Sequence, residues 1–119
     1  MGLTAPAWAG FDEGVGAYLE GAAAYRRGDY ATAIRELRPL AEQGNAAAQN
    51  ILGFMYDVGK GVPQDYVQAL MWYNLAASRF SPGEDRDQAV KYREIVAEKM
   101  TPAQISEAQK LARKWRPKK

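Results

Sequence analysis

The residues of this 119-residue chain that could do chemistry are mainly carboxylates, because it contains neither cysteine nor histidine. That composition excludes thiol nucleophiles, disulfides and histidine-based acid–base catalysis. Carboxylates in pairs can act as acid and base in glycosidase-type chemistry. The acids group as Asp12 and Glu13, as Asp57 and Asp65, and as Glu84, Asp85 and Asp87. Each group falls where a helix start or turn is expected and capping explains an acid, so we predict no catalytic residue and no metal site.

The segment Gly59-Lys60-Gly61 is a second candidate, since glycines beside a lysine occur in phosphate-binding loops. A P-loop needs four residues between its first glycine and a Gly-Lys-Ser/Thr element, and it follows a strand. Neither condition holds here. Both glycines are therefore assigned to turn geometry, with positive φ expected at Gly59 or Gly61, and no cofactor is predicted.

Basic residues are concentrated at the C-terminus of a chain whose net charge is +2. The final ten residues contain no acid and six bases, namely Lys110, Arg113, Lys114, Arg116, Lys118 and Lys119. Cations at a helix C-terminus, followed by a solvated tail, explain this cluster. A nucleic-acid footprint would interleave such residues with exposed aromatics over a face, so no nucleic-acid partner is predicted.

The elements that position these residues are helices, because the apolar periodicity is helical nearly throughout and no strand candidate emerges. The chain length suits one compact domain, and no apolar run reaches the ~18 residues of a membrane span. Helices are predicted at 11–27, 30–43, 46–57, 66–79, 84–99 and 102–115. Within the second, Pro39 is expected to kink the helix or end it early.

Core positions follow from the apolar spacing along each helix. The first helix is expected to face the core with Phe11, Val15, Tyr18, Leu19, Ala22 and Tyr25. The last helix begins with a capping box at Thr101 and Gln104 and carries Trp115. We expect Trp115 to be largely buried against the fifth helix and the preceding hairpin.

The stretch from Ala41 to Ala77 carries a more specific pattern, G-N-A-x-A-Q-x-x-L-G-x-x-Y-x-x-G-x-G-V-x-x-D-x-x-x-A-x-x-W-Y-x-x-A-A. This pattern resembles a complete Sel1-like repeat, a longer-looped relative of the tetratricopeptide repeat. Its motif positions are Gly53, Tyr56, Gly59, Gly61, Asp65, Trp72 and Tyr73. A partial copy precedes it by 36 residues, a period typical of helical solenoids, since residues 29, 30, 33 and 34 match 65, 66, 69 and 70.

The resemblance implies an all-α, right-handed α/α solenoid of about six helices in three antiparallel hairpins. Residues 10–116 form one domain: a tetratricopeptide-like hairpin at 10–43, the Sel1-like repeat at 44–80 and a capping hairpin at 84–116. Residues 117–119 form a basic tail. The closing helix is similar to that of many small bacterial Sel1-like proteins.

The function implied by the resemblance is non-catalytic binding of a protein or peptide. In tetratricopeptide-like stacks the first helix of each pair lines the concave side. On the central one, Asn50, Phe54 and Asp57 are spaced four and three apart and share one face, so we predict that they form the partner-binding groove. The alternative for Phe54 is packing against a neighbouring helix.

Two other functions stay open at this point. One is a cell-wall-associated enzyme or enzyme accessory that uses carboxylates, which converging carboxylates in a closed pocket would favour. The other is a homo-oligomeric structural protein, which an apolar patch on an outer face would favour.

Residues 1–9, MGLTAPAWA, end in the small-x-small form that signal peptidase recognises, Ala7-Trp8-Ala9. They are interpreted as a disordered remnant of an export signal, which predicts a periplasmic or secreted protein. The alternative is an ordinary tail on a cytoplasmic protein.

Overall fold

The computed structural model describes residues 9–118, with side chains from residue 15 onward, and this range holds six helices and no strand. They are α1 (Ala9–Arg26), α2 (Tyr30–Glu42), α3 (Ala46–Val58), α4 (Tyr66–Arg79), α5 (Glu84–Glu98) and α6 (Pro102–Lys114). The all-α prediction is confirmed, and the helix bounds agree with the predicted ones to within two residues. The segment interpreted as an export-signal remnant lies outside the described residues except for Ala9, which is helical.

Polar side chains at the helix starts fix these bounds. The caps are Asp29, Asn45 and Asp65, which accept hydrogen bonds from the backbone N–H of Thr32, Ala48 and Gln68, and Thr101, which forms the predicted capping box with Gln104. The hydrogen bond from Thr32 lowers the pKa of Asp29. Because each such cap satisfies an otherwise unpaired N–H of a first turn, the chain has a local reason to start a helix at each position.

The turn between α3 and α4 confirms the glycine prediction. Gly59 ends α3 with φ 73°, and Gly61 follows with φ 77°. The backbone N–H groups of Gly59 and Lys60 both donate to the carbonyl of Met55. A side chain at Gly61 would place its Cβ 2.9 Å from the Cβ of Tyr30, so the loop packs directly on α2.

Consecutive helices pack on one another from α1 to α4, and α4 then contacts α3, α5 and α6. Eight of the fourteen residues of α4 are buried, which makes it the central element of an elongated stack measuring 59 × 28 × 26 Å. The last two helices depart from the expected third hairpin, since both pack on α4 and make little direct contact with each other. The right-handed sense of the stack stays a prediction.

The inward face of α1 was predicted correctly at Ala22, Tyr18 and Tyr25, which are buried or pack against the core, and wrongly at two other positions. Val15 and Leu19 are 42% and 56% exposed, whereas Gly21 and Ala24 face the core. The described part of α1 packs closely on α2 alone, and small residues allow that approach: a Cβ on Gly21 would lie 2.6 Å from Leu37 Cγ. Val15 and Leu19 are turned to solvent as a result.

The second helix does not end early at Pro39. It continues to Glu42, and Pro39 lies on its exposed face. The carbonyl of Arg35, which loses its helical partner to the proline, also belongs to an exposed residue, so water can satisfy it.

Trp115 is less buried than predicted, whereas its packing on α4, which belongs to the preceding hairpin, agrees with the prediction. It is half-buried, caps the C-terminus of α6 and packs edge-on against Trp72 of α4, with ring centroids 6.5 Å apart. Beyond it the chain returns to α2, where the Lys118 N–H donates to the Glu42 carbonyl and the Lys118 ammonium lies 2.9 Å from the Glu42 carboxylate. The residue predicted to belong to a solvated tail is thus attached to the second helix.

Candidate functional site

An open groove of about 330 Å³ lies between the first helices of the successive helix pairs, α1, α3 and α5. Its lining residues are Tyr25 from α1, Asn50, Ile51 and Phe54 from α3, and Gln88 and Tyr92 from α5. Each comes from the helix of its pair that was predicted to line a concave side. The groove therefore contains two of the three residues predicted for it, Asn50 and Phe54.

Aromatic rings form the floor of this groove. Phe54 lies between Tyr25 and Tyr92, with ring centroids 6.1 Å from each. Its contact with Tyr25 is edge-on at 81°, a geometry that aromatic pairs favour. Phe54 is half-buried, so it both packs against its neighbours and presents apolar surface to the groove.

Two amides supply polar groups beside these rings. Gln88 Nε2 donates to the hydroxyl of Tyr92 at 3.3 Å. The side-chain oxygen of Asn50 is shielded from solvent and accepts no hydrogen bond from any described residue. An unsatisfied buried acceptor costs about 1–3 kcal/mol of folding stability.

Asp57, the third predicted residue, does not line the groove. Its carboxylate accepts a hydrogen bond from the Tyr73 hydroxyl at 3.3 Å and lies 4.0 Å from the Lys99 ammonium. Only 12% of its side chain is exposed. The carboxylate joins α3 to α4 and α5 and is not presented to a ligand.

Sequence analysis missed four lining residues, Tyr25, Ile51, Gln88 and Tyr92. Tyr25 had been assigned to the core because it falls on an apolar stripe, and Tyr92 falls on a similar stripe of the fifth helix. Their helical spacing does place them next to the core, but it does not show that a third helix leaves one edge of each ring open. The open edge of each ring follows from the arrangement of α1, α3 and α5, and the residue spacing within one helix does not indicate it.

Lys60 lies near two tyrosines, Tyr30 and Tyr25. The Lys60 ammonium is 5.3 Å from the ring centroid of Tyr30, and Tyr30 raises the pKa of Lys60. Burial raises the pKa of Tyr25, and the nearby charge of Lys60 acts in the opposite direction. Among the residues that the structure describes, no carboxylate lies within 4.0 Å of the Lys60 ammonium.

The remaining carboxylates do not converge. Asp65 caps α4, and Glu84, Asp85 and Asp87 are exposed in the first turn of α5. The side chains of Asp12 and Glu13 lie outside the described residues. Within the described range there is no cluster of three or more residues of the metal-ligating types. Of the helices described, none has the length and apolarity needed to cross a bilayer.

The motif residues hold α3 and α4 together. The Tyr73 ring occupies the space next to Gly53, and Tyr73 and Trp72 are buried at 0% and 4% exposure. Tyr56 connects this unit to the preceding hairpin, because its hydroxyl accepts a hydrogen bond from the Arg38 guanidinium at 2.9 Å. These positions explain the repeat pattern structurally and leave the groove side of α3 free for other residues.

Helices packed in sequence, with the first helix of each pair along one groove, define a helical-repeat protein of the solenoid type. Residues 46–79, which span α3, the glycine turn and α4, match the family model of the Sel1 repeat. These residues are similar to the Sel1 repeat, and the match covers less than half of the chain. Comparisons with curated proteins and with solved structures give no match. Sel1 repeats typically mediate interactions between proteins.

Proposed function

We propose that this protein is a non-catalytic scaffold that binds a protein or peptide partner in the groove between α1, α3 and α5. The observation that carries the proposal is Phe54, which is half-buried between Tyr25 and Tyr92 while one edge lines the groove. Aromatic side chains held rigidly by neighbours are the usual anchors of binding surfaces, because little entropy is lost when they are covered.

Asn50 adds a polar contact one helical turn away from this anchor. Its side-chain oxygen is shielded from solvent, so the amide nitrogen is the group that it can offer to a ligand in the groove. An apolar surface with one oriented polar group is the composition of a site that binds and positions a ligand. Among the residues whose side chains are described, no carboxylate lines the groove, so the acid–base alternative gains no support from it.

The homo-oligomer alternative has one observation in its favour. Val15 and Leu19 lie four residues apart on α1 and are both exposed, which is an apolar pair on an outer surface. Phe54, in contrast, is held between two aromatic rings and lines a groove that also contains polar groups. We therefore place partner binding in the groove first.

The test is to truncate the anchor and compare it with a matched truncation elsewhere. Phe54→Ala should abolish partner recovery from an extract of the native organism, quantified by mass spectrometry, and Asn50→Ala should weaken it. Phe80→Ala is the control, because Phe80 is also half-buried but packs beside α5 outside the groove lining. Thermal melts establish that each variant is folded at the temperature of the experiment.

The proposal predicts loss of the same partners in Phe54→Ala and their retention in Phe80→Ala. Equal recovery by wild type and Phe54→Ala would show that partners bind elsewhere. Equal loss in the two phenylalanine variants would show that general destabilisation, and not the groove, controls recovery.

A further inference from the structure

We propose that the groove also binds a small quaternary ammonium compound, a free solute of the choline type, whose positive charge lies against the rings of Phe54 and Tyr92. This proposal goes beyond the binding of a protein partner and does not depend on it. It rests on the rings and charges of this one surface.

The first argument is the arrangement of the aromatic rings. Tyr25, Phe54 and Tyr92 line one open cavity, and Phe54 is not stacked flat on either neighbour, since its plane is inclined at 81° to Tyr25 and at 46° to Tyr92. Its ring centroid lies 6.1 Å from each of the other two. A ring face attracts a cation within about 6 Å of its centroid, so one cation can contact two of these rings at once. Inclined rings around one cavity are the walls of an aromatic cage.

The neighbouring tyrosine already holds a cation of the chain itself. The Lys60 ammonium lies 5.3 Å from the ring centroid of Tyr30, and the Tyr30 centroid lies 5.7 Å from that of Tyr25. Like charges repel, so a second cation is disfavoured beside Tyr25 and belongs at the other side of Phe54, against Tyr92.

Carboxylates are present on that side. Tyr92 and Gln88 also line a second open cavity, of about 530 Å³, together with Glu84, Asp87 and Lys91. Its two carboxylates outnumber its one ammonium, and both are exposed in the first turn of α5. Their field attracts a cation toward the ring of Tyr92 without a direct ion pair.

The preference for a quaternary ammonium follows from the groove lining. A primary ammonium carries three N–H donors, and no carboxylate lines the groove among the residues whose side chains are described. Such a group would exchange water for a few neutral acceptors, which is unfavourable. A quaternary ammonium has no N–H to satisfy, and its methyl groups gain from contact with the rings.

The size and charge of the site favour a free solute over a lipid headgroup. The cavity of about 330 Å³ is at the lower end of the range for small-molecule sites, so a compact ligand fills it. The carboxylates of Glu84 and Asp87 lie beside it and would repel the anionic lipids of a membrane surface.

The experiment titrates choline into the full chain and follows the ring protons of Phe54 and Tyr92 by NMR. Two comparison ligands separate charge from shape. In 3,3-dimethylbutan-1-ol a carbon replaces the choline nitrogen, which removes the charge and keeps the shape. Ethanolamine keeps the charge and replaces the methyl groups by N–H donors.

Choline should give saturable shifts with a Kd of about 1 mM, the strength that a few cation–π contacts supply. Nuclear Overhauser effects should connect its methyl protons to the rings of Phe54 and Tyr92. Both comparison ligands should bind about tenfold more weakly, the alcohol because it has no charge and ethanolamine because its N–H groups lose water.

Variants test the rings and the carboxylates separately. Phe54→Leu keeps an apolar side chain and removes the ring, so binding should weaken about fivefold or more, whereas Phe80→Leu, outside both cavities, should bind as wild type does. Asp87→Asn should weaken binding about twofold, an effect that high salt removes. Glu107→Gln is the matched control, because Glu107 is exposed on α6 and lines neither cavity. Thermal melts check the folding of each variant.

Equal binding of choline and its neutral isostere would overturn the proposal, because the groove would then be only apolar. Equal binding of ethanolamine would show that charge alone attracts the ligand, and unchanged binding by Phe54→Leu would place the site elsewhere; both results would overturn it. Binding to phosphatidylcholine vesicles without binding of free choline would make a lipid headgroup the ligand and would overturn the assignment to a solute. Loss of partner recovery in Phe54→Ala, together with no binding of choline, would overturn this proposal and leave partner binding in the groove supported.

Discussion

Tyr73 is the residue at which the repeat motif and the groove meet. It is fully buried on α4, its hydroxyl donates to Asp57, and its ring centroid lies 5.7 Å from that of Tyr92 in the groove lining. Burial, and next the negative charge of Asp57, raise the pKa of Tyr73 well above its ordinary value. Both causes favour the neutral phenol, because each opposes a second negative charge in the same place.

This pKa shift predicts an alkaline loss of stability. Where the folded chain keeps a phenol proton that the unfolded chain has released, unfolding becomes easier as pH rises. The contribution of the raised Tyr73 pKa to the free energy of unfolding is therefore complete below about pH 10, the ordinary tyrosine pKa. Above that pH it declines by at most ~1.4 kcal/mol per pH unit. Tyr73→Phe should be less stable at pH 8, because Asp57 loses its donor, and should fall less steeply between pH 10 and 12. Urea unfolding at several pH values measures both slopes, and parallel slopes would contradict the assignment to Tyr73.

The contact between α3 and α4 depends on the absence of a side chain at Gly53. A Cβ there would lie 2.8 Å from Tyr73 Cδ1 and 3.3 Å from the carbonyl oxygen of Ala69. The first is a ring fixed in the core and the second is backbone, so neither can move cheaply. The two helices of the repeat are close because this position is glycine.

Gly53→Ala should therefore destabilise the protein despite the better helix propensity of alanine. Overpacking costs about 1–3 kcal/mol, and replacing a helical glycine returns about 0.5–1 kcal/mol, so a net loss of about 1–2 kcal/mol is expected. Gly16→Ala in α1 is the matched control, because no described atom lies within 4 Å of its Cβ. It should be neutral or stabilising by up to ~1 kcal/mol in the same urea titration. A Gly53→Ala variant as stable as Gly16→Ala would contradict the tight crossing.

The positions of helix ends and turns depend on residues that are close together in the chain, and these positions were predictable from the sequence. Asp65 and Thr101 mark helix starts, Gly59 and Gly61 mark the turn, and the bounds followed to within two residues. Partners distant in sequence were not predictable in the same way. The side chain of Asp57 contacts Lys99 of α5, and no periodicity within α3 indicates that contact.

The inward face of a helix was predictable only where several helices surround it. On α4, which contacts three other helices, most apolar positions are buried. On α1, small residues form the contact with α2, and Leu19 is exposed to solvent. The groove was found in part for the same reason: Phe54 could be inferred from α3 alone, but Tyr92 needed the position of α5.

Across the whole molecule, the last helix and the residues after it connect parts that are distant along the chain. α6 packs on α4, and Trp115 extends this contact through Trp72 and the Arg79 guanidinium, which lies 5.5 Å from the Trp115 ring centroid. Arg79 also donates to the carbonyl of Gly44, in the turn between α2 and α3. The C-terminal segment thereby covers a surface of α4 that an open solenoid would leave exposed.

Trp115 should stabilise the contact of the C-terminal segment more than the ion pair between Lys118 and Glu42 does. Trp115→Ala removes a half-buried indole from Trp72 and should lower the free energy of unfolding by about 2–3 kcal/mol, somewhat less than for a fully buried tryptophan. Lys118→Ala breaks an ion pair whose lysine is 72% exposed, and such pairs contribute at most ~1 kcal/mol. Urea denaturation of both variants at low and high salt distinguishes the two contributions, since only that of Lys118 should be screened. If Lys118→Ala costs as much as Trp115→Ala and salt removes the difference from wild type, the C-terminus is held by charge, and the apolar contact on α4 is secondary.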